Sequence, residues 1–168
     1  PFDPPEPYST MKDPNSLHLL PGYTDQPLPF DSNFGSSPIH PDKIDEKDIR
    51  AMMASYYGMI SEIDNGIGTI LQKLYDNSMI VFTSDHGDYM SYHHMMLKGR
   101  HLYDPLIKIP LIVKYPGQQA AGQTDSFLSE NIDVAPTVLE LCGQPIPPTM
   151  QGHSLLGNDH RQFAFSEL

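Results

Sequence analysis

Four of the eight histidines in this 168-residue chain, His86, His93, His94 and His101, fall within sixteen residues of one another. Asp85, Asp88, Lys98 and Arg100 stand among them. Asp85 and His86, side by side, offer a carboxylate oxygen and a neutral imidazole nitrogen. That pair suits Ca²⁺, Mn²⁺ or Zn²⁺ and does not choose among them. Lys98 is a flexible point charge, well matched to a tetrahedral oxyanion. A plainer reading is a polar surface loop whose histidines only hydrogen-bond, since no HExxH or other zinc spacing is present. Spacing alone leaves both open.

Several elements must position these groups. Met79-Ile80-Val81-Phe82-Thr83 is a short apolar run, rich in β-branched and aromatic residues, that reads as a buried strand. It stops at Ser84-Asp85-His86-Gly87, which places the carboxylate and imidazole at the edge of a sheet, where open α/β folds bind ligands. Upstream, Ile49, Met52, Met53, Tyr56, Ile60, Ile63, Ile67, Ile70, Leu71 and Leu74 step by three or four, the stripe of an amphipathic helix. Asp45 is its expected cap, with Glu46 and Asp48 suiting the dipole, and its end is expected near Asn77. Gly58, Gly66 and Gly68 weaken it locally, which close packing against a neighbour would explain. Glu62 and Asp64 read as solvated charges.

Beyond the histidine cluster, Leu111-Ile112-Val113 reads as a second strand and Pro116-Gly117 as a turn. Ser126-Phe127-Leu128 reads as a short third strand. Asp133 is the expected cap of a helix through Val134, Val138, Leu139 and Leu141, closed by Gly143. Residues 1–44 hold ten of the 17 prolines and leave no room for a helix of normal length. Phe2, Tyr8, Met11, Leu17, Leu19, Leu20, Tyr23 and Phe30 are too many large apolar groups for a solvated tether. The segment therefore reads as a loop packed over a domain surface, near a substrate entrance.

Lys and Arg number 10 against 21 Asp and Glu, a net charge of -11. Such a surface repels nucleic acid and anionic membrane, which are bound through basic patches. No apolar run approaches the roughly 20 residues of a spanning helix. The single cysteine, Cys142, excludes an internal disulfide and leaves the compartment open. The chain begins at Pro1 rather than Met, so a piece of a longer protein is expected.

Taken together, Phe82-Thr83-Ser84-Asp85-His86-Gly87-Asp88-Tyr89, His93, Leu97-Lys98-Gly99, Tyr103-Asp104 and Ile109-Pro110-Leu111-Ile112 resemble the C-terminal half of the sulfatase catalytic domain. That family lies within the alkaline phosphatase superfamily, which also includes phosphonate monoester hydrolases. The twelve-residue step from His86 to Lys98 matches its pattern. So do Tyr56-Tyr57-Gly58-Met59-Ile60, Asp133-Val134-Ala135-Pro136-Thr137 and Gln151-Gly152-His153-Ser154-Leu155-Leu156.

The resemblance implies an α/β fold, part of an α/β/α sandwich with a mostly parallel sheet and a long proline-rich N-terminal loop. All of residues 1–168 would be a partial catalytic domain: a loop region over 1–44, a helix over 45–78, strand and metal/substrate loop over 79–117, and a C-terminal part over 118–168. It implies Asp85 and His86 as metal ligands, with Ca²⁺ ahead of Mn²⁺ or Zn²⁺. It makes Lys98 the contact to the sulfate or phosphate group and puts His93 near the substrate. The family's nucleophile is a formylglycine made within a C/S-x-P/A-x-R motif. Cys142, in Leu141-Cys142-Gly143-Gln144-Pro145, does not qualify, so that residue is expected outside this chain.

The implied partners are a small sulfate or phosphate ester and the remainder of the same catalytic domain. Oligomeric state and compartment are not specified. A phosphonate monoester or phosphodiester hydrolase, and a non-catalytic relative, are the competing readings. The sequence departs from the family at Ser91-Tyr92-His93-His94, where many members have Gly-Asp/Glu-His-Gly.

Overall fold

The computed structural model describes residues 2–26, 28–31, 44–118, 120–157 and 161–166, and the backbone at 37 and 38. Parts of the proline-rich segment, Pro27 and Pro41 among them, lie outside the described residues. The chain divides into two compact units, Pro1–Tyr75 with His86–Ile109, and Asp76–Asp85 with Pro110–Leu168.

The first unit is built on α1, Glu46–Leu71. Asp45 caps it as expected, accepting from the Asp48 amide at 3.0 Å, while the Asp48 carboxylate returns the bond to the Asp45 amide at 3.1 Å. This reciprocal box satisfies two of the donors that a helix start leaves orphaned. The apolar stripe is covered only along its first half. Ile49 and Met53 join Met90 and Met96 in a core, against which Phe2, Leu17, Leu19, Leu20 and Tyr23 pack. The proline-rich loop thus docks on α1 through the apolar residues that spoke against a solvated tether.

Close packing explains one of the three helix glycines. A Cβ on Gly58 would fall 2.4 Å from the Tyr8 carbonyl oxygen, whereas Gly66 and Gly68 face open space. The helix also ends earlier than Asn77. Lys73 and Leu74 donate three residues back, to Ile70 and Leu71, tightening the backbone into a turn.

The same unit holds two short strands, β1 (Ser37–Pro38) and β3 (Met95–Met96), paired antiparallel. It also holds one short helix, α2 (Asp104–Ile107). A second small core gathers Tyr89, Met95 and Leu106 under Tyr92 and Tyr103.

In the second unit, β2 (Ile80–Thr83) pairs with β4 (Leu111–Lys114), with Val81 opposite Val113 and Phe82 opposite Ile112. This pairing too is antiparallel, so the parallel part of the expected sheet is not among the described strands. Nor is β2 the fully buried strand its composition suggested, since Phe82 and Thr83 are exposed. The Lys114 ammonium donates to the carbonyls of Asp76 and Ser78, at 2.8 and 3.1 Å, and tethers the lead-in to β2.

The last helix, α3 (Val134–Leu141), ends as expected at Gly143, whose φ of 66° completes the reversal. The Gly143 amide bonds the Glu140 carbonyl and the Gln144 amide bonds the Leu139 carbonyl, a Schellman closure. Asp133, however, does not cap α3. Its carboxylate accepts from the Glu130 amide and the His153 amide, both at 2.8 Å, and pairs with Arg161. Ser126-Phe127-Leu128 forms no strand; Leu128 makes a single bridge to Arg161.

Candidate functional site

In the second unit, β2 delivers Asp85 two residues past its end. Asn131 braces that exit: its side-chain amide donates to the Ser84 carbonyl at 3.0 Å, and its oxygen accepts from the Thr83 hydroxyl at 3.3 Å. Asp85 itself is exposed, and its Oδ1 accepts from the Ser84 hydroxyl at 3.3 Å. Nothing in the sequence near Asp85 advertised Asn131, because the bond spans 47 positions.

In the first unit, His86 is half-buried, with Nδ1 2.8 Å from the carbonyl oxygen of Gly87. A carbonyl only accepts, so Nδ1 carries the proton and Nε2 keeps the lone pair. Gly87 is required here, because a Cβ would fall 1.9 Å from the Pro105 carbonyl oxygen. Its amide bonds the Leu106 carbonyl at 2.8 Å, which fastens the start of the loop to α2.

From there the chain folds into a tight loop with Lys98 just past its closure. Asp88 Oδ1 accepts from the Met90 amide at 2.8 Å and from the Leu97 amide at 3.1 Å, joining the two ends. Burial pushes the Asp88 carboxyl above its usual range, against the two amide bonds and the nearby His86, which act the other way. Between these ends, Met90, Ser91, His93, His94 and Leu97 all have positive φ. Left-handed backbone costs a side-chain-bearing residue about 1 kcal/mol or more. At Ser91 and His94, φ is 76° and 60°. Glycine takes such angles without penalty. Here the strain is carried by a buried serine and a buried histidine instead.

His94 and His101, which had no assigned role, are structural. His94 Nδ1 bonds the Thr24 carbonyl at 2.8 Å, and His101 Nε2 bonds the Asp31 carbonyl at 3.2 Å. His93 has a different partner. Its Nδ1 lies 3.0 Å from Oδ2 of Asp31, which is fully buried. Tyr103 donates its hydroxyl to the other carboxylate oxygen at 2.8 Å. Burial, and then the bond to Asp31, push the Tyr103 hydroxyl up to about 12, so it remains a donor. Asp31 escaped the sequence reading because its partners stand 62 and 72 positions away. Lys98 is exposed, one residue past the last strained position, Leu97.

The donors fit a divalent cation in kind but not in number. Asp85 offers a carboxylate and His86 an imidazole with its lone pair on Nε2, yet among the described residues no group of three or more His, Cys, Asp or Glu is placed to hold a metal ion. Zn²⁺ takes about four ligands and Ca²⁺ about six to eight. Two such residues fall short of either number. Among the described residues, no helix is long and apolar enough to cross a membrane.

Comparison with known proteins gives concordant matches. The Sulfatase family model matches residues 5–144. The multifunctional alkaline phosphatase superfamily protein PehA of Trinickia caryophylli is 41% identical over 119 residues, which is 67% of this chain and 23% of that protein. Arylsulfatase K of Bos taurus is 33% identical over 126 residues, 72% of this chain and 23% of that protein. Among solved structures, the phosphonate monoester hydrolase SpPMH of Silicibacter pomeroyi superposes with a TM-score of 0.82 at 34% identity, covering 96% of this chain and 37% of that one. The chain therefore spans well under half the length of these relatives.

Proposed function

The chain belongs to the sulfatase family, and on that premise we propose that it contributes part of the active site of a metal-dependent sulfate ester hydrolase. Asp85 and His86 are two ligands of the divalent metal, Ca²⁺ by preference with Mn²⁺ or Zn²⁺ as alternatives. The observation that carries this reading is the His86 ring. With Nδ1 committed to the Gly87 carbonyl at 2.8 Å, the lone pair sits on Nε2, beside the Asp85 carboxylate in sequence. When bound, the metal polarises a substrate oxygen and lowers the pKa of the attacking hydroxyl. The family's formylglycine stands outside these 168 residues.

The chain's own residues do the rest. Lys98, exposed beyond the loop closed by Asp88, presents an ammonium to the anionic group and offsets charge as it develops there. His93 stands near the substrate as a proton carrier for the leaving oxygen. In the full-length protein, Asp85→Ala or His86→Ala is expected to lower bound metal. Lys98→Ala is expected to cut aryl sulfate turnover by about 100-fold or more, the scale for a lost transition-state partner, with metal content unchanged. Wild-type metal content in the first two variants, measured by elemental analysis, would remove the ligand assignment.

A second reading has its own support, the superposition on SpPMH over 96% of the chain. Phosphonate monoesters and phosphodiesters share the tetrahedral geometry of sulfate esters, and a metal with a lysine serves either. Parallel assays on an aryl sulfate and an aryl phosphonate ester decide between them. The first reading expects the larger kcat/KM on sulfate.

A further inference from the structure

The Asp31 carboxylate is an outlier in the chemistry of the first unit. It is fully buried, and taking a carboxylate out of water is costly unless donors replace the solvent. Here they do. Tyr103 donates to Oδ1 at 2.8 Å, the His93 ring meets Oδ2 at 3.0 Å, and the His101 ring stands 3.7 Å from Oδ1. With Tyr103 occupying one oxygen as a donor, the other is left to His93. A carboxylate oxygen accepts, so His93 Nδ1 carries a proton and Nε2 is the nitrogen left to take up and deliver one.

The ring has little freedom to do otherwise. It stacks on Tyr92 with centroids 4.1 Å apart and takes the edge of Tyr103 at 4.7 Å. Its backbone is held as well, the His93 amide bonding the Gly22 carbonyl at 2.9 Å. Gly22 lies against the Tyr92 ring so closely that a Cβ would come within 2.4 Å of Cε2. One loop therefore grips His93 at both ends, by its amide through Gly22 and by its ring through Asp31. Packing alone does not call for a buried carboxylate; aiming and polarising an imidazole does.

We infer that Asp31 is a positioning residue for His93, fixing the Nδ1–H tautomer and directing Nε2 to the reacting group. This rests on His93 acting near the substrate as proposed above. The test uses the full-length protein, and its first part needs no variant. Long-range ¹⁵N–¹H correlation of the imidazoles is expected to show His93 protonated at Nδ1 near neutral pH; protonation at Nε2 alone would overturn the inference.

The second part is a double-mutant cycle on ester hydrolysis. Asp31→Asn is expected to lower kcat about 10–100-fold, the usual cost of losing such a partner, with KM little changed. His101 and Tyr103 also face Asp31, and both are unaltered in this variant. In a His93→Gln background, Asp31→Asn should add no further loss. An equal loss in both backgrounds would make Asp31 merely structural and overturn the inference. Wild-type turnover in His93→Gln alone would instead remove the role of His93 itself.

Discussion

Asp88 shows how one carboxylate can both shape the loop and leave a mark on stability. Burial raises its carboxyl above the ordinary range, so the fold disfavours the ionised form. The sign follows: the stability it contributes is complete below the unfolded carboxyl pKa, about 3.9, and is lost as pH rises through the higher folded value. Both of its amide bonds use Oδ1, an atom that asparagine also offers as an acceptor. Asp88→Asn should therefore keep the loop closed while removing this pH dependence. Urea midpoints of wild type and variant should converge at low pH and separate above about 3.9, with the variant the more stable; parallel curves would contradict the assignment. The sequence placed Asp88 beside His86 but could not weigh its burial. Asp31 was hidden altogether, because nothing local distinguishes Phe30-Asp31 from any other polar step in a proline-rich loop. Local signals revealed what local bonds decide: the Asp45 cap and the Gly143 closure follow from neighbours three or four residues away. Asp133 was misread for the converse reason. Its carboxylate answers to His153 and Arg161, 20 and 28 positions on.

Among the elements, α1 makes the sharpest contrast between sequence and packing. Three glycines look alike in the pattern, and one of them is pressed against a carbonyl. Gly58→Ala would push a Cβ into the Tyr8 carbonyl oxygen at 2.4 Å, and a clash with backbone should cost about 1–3 kcal/mol. Gly66→Ala and Gly68→Ala meet open space among the described residues and should each stabilise by up to about 1 kcal/mol through helix propensity. Thermal melts of the three variants should move in opposite directions, Gly58→Ala downward and the other two upward. A loss of equal size at all three positions would mean that the second half of α1 is covered. Period and propensity gave the existence and start of α1 correctly. Its end was less legible, since the apolar step to Leu74 continues past the point where the backbone turns.

At the scale of the whole molecule, the α/β class came with the family resemblance, but pairing direction was not legible. Both described pairings are antiparallel, and strand composition does not encode direction. Much apolar surface is left open: Ile63 and Ile70 on α1, Ile112 at 63% exposed on β4, and Phe163 and Phe165 near the end of the chain. Apolar surface on this scale is usually met by a partner surface. Combined with the lack of a C/S-x-P/A-x-R motif in these 168 residues, this leads to a direct expectation. The 168-residue chain alone should hydrolyse neither aryl sulfates nor aryl phosphonates at a rate above buffer, even with added Ca²⁺, Mn²⁺ or Zn²⁺; metal-dependent turnover by the purified chain would refute it.

The grip of the proline-rich loop on His93 also has a kinetic side. Among the described residues, Gly22 to Asp31 contributes no α-helix and no strand of the named sheets, so only isolated turn bonds such as Asp31 to Leu28 and Thr24 to Gln26 organise it ahead of docking. Asp31 and His93 are 62 positions apart, and closing a chain of that length costs about 4 kcal/mol in entropy before any contact repays it. Contacts of such long range tend to form late in folding. The imidazole would then be the last part of the loop to find its orientation and the first to lose it. Protease nicking near Thr24 to Gln26 should disarm the histidine while α1 and its core still stand.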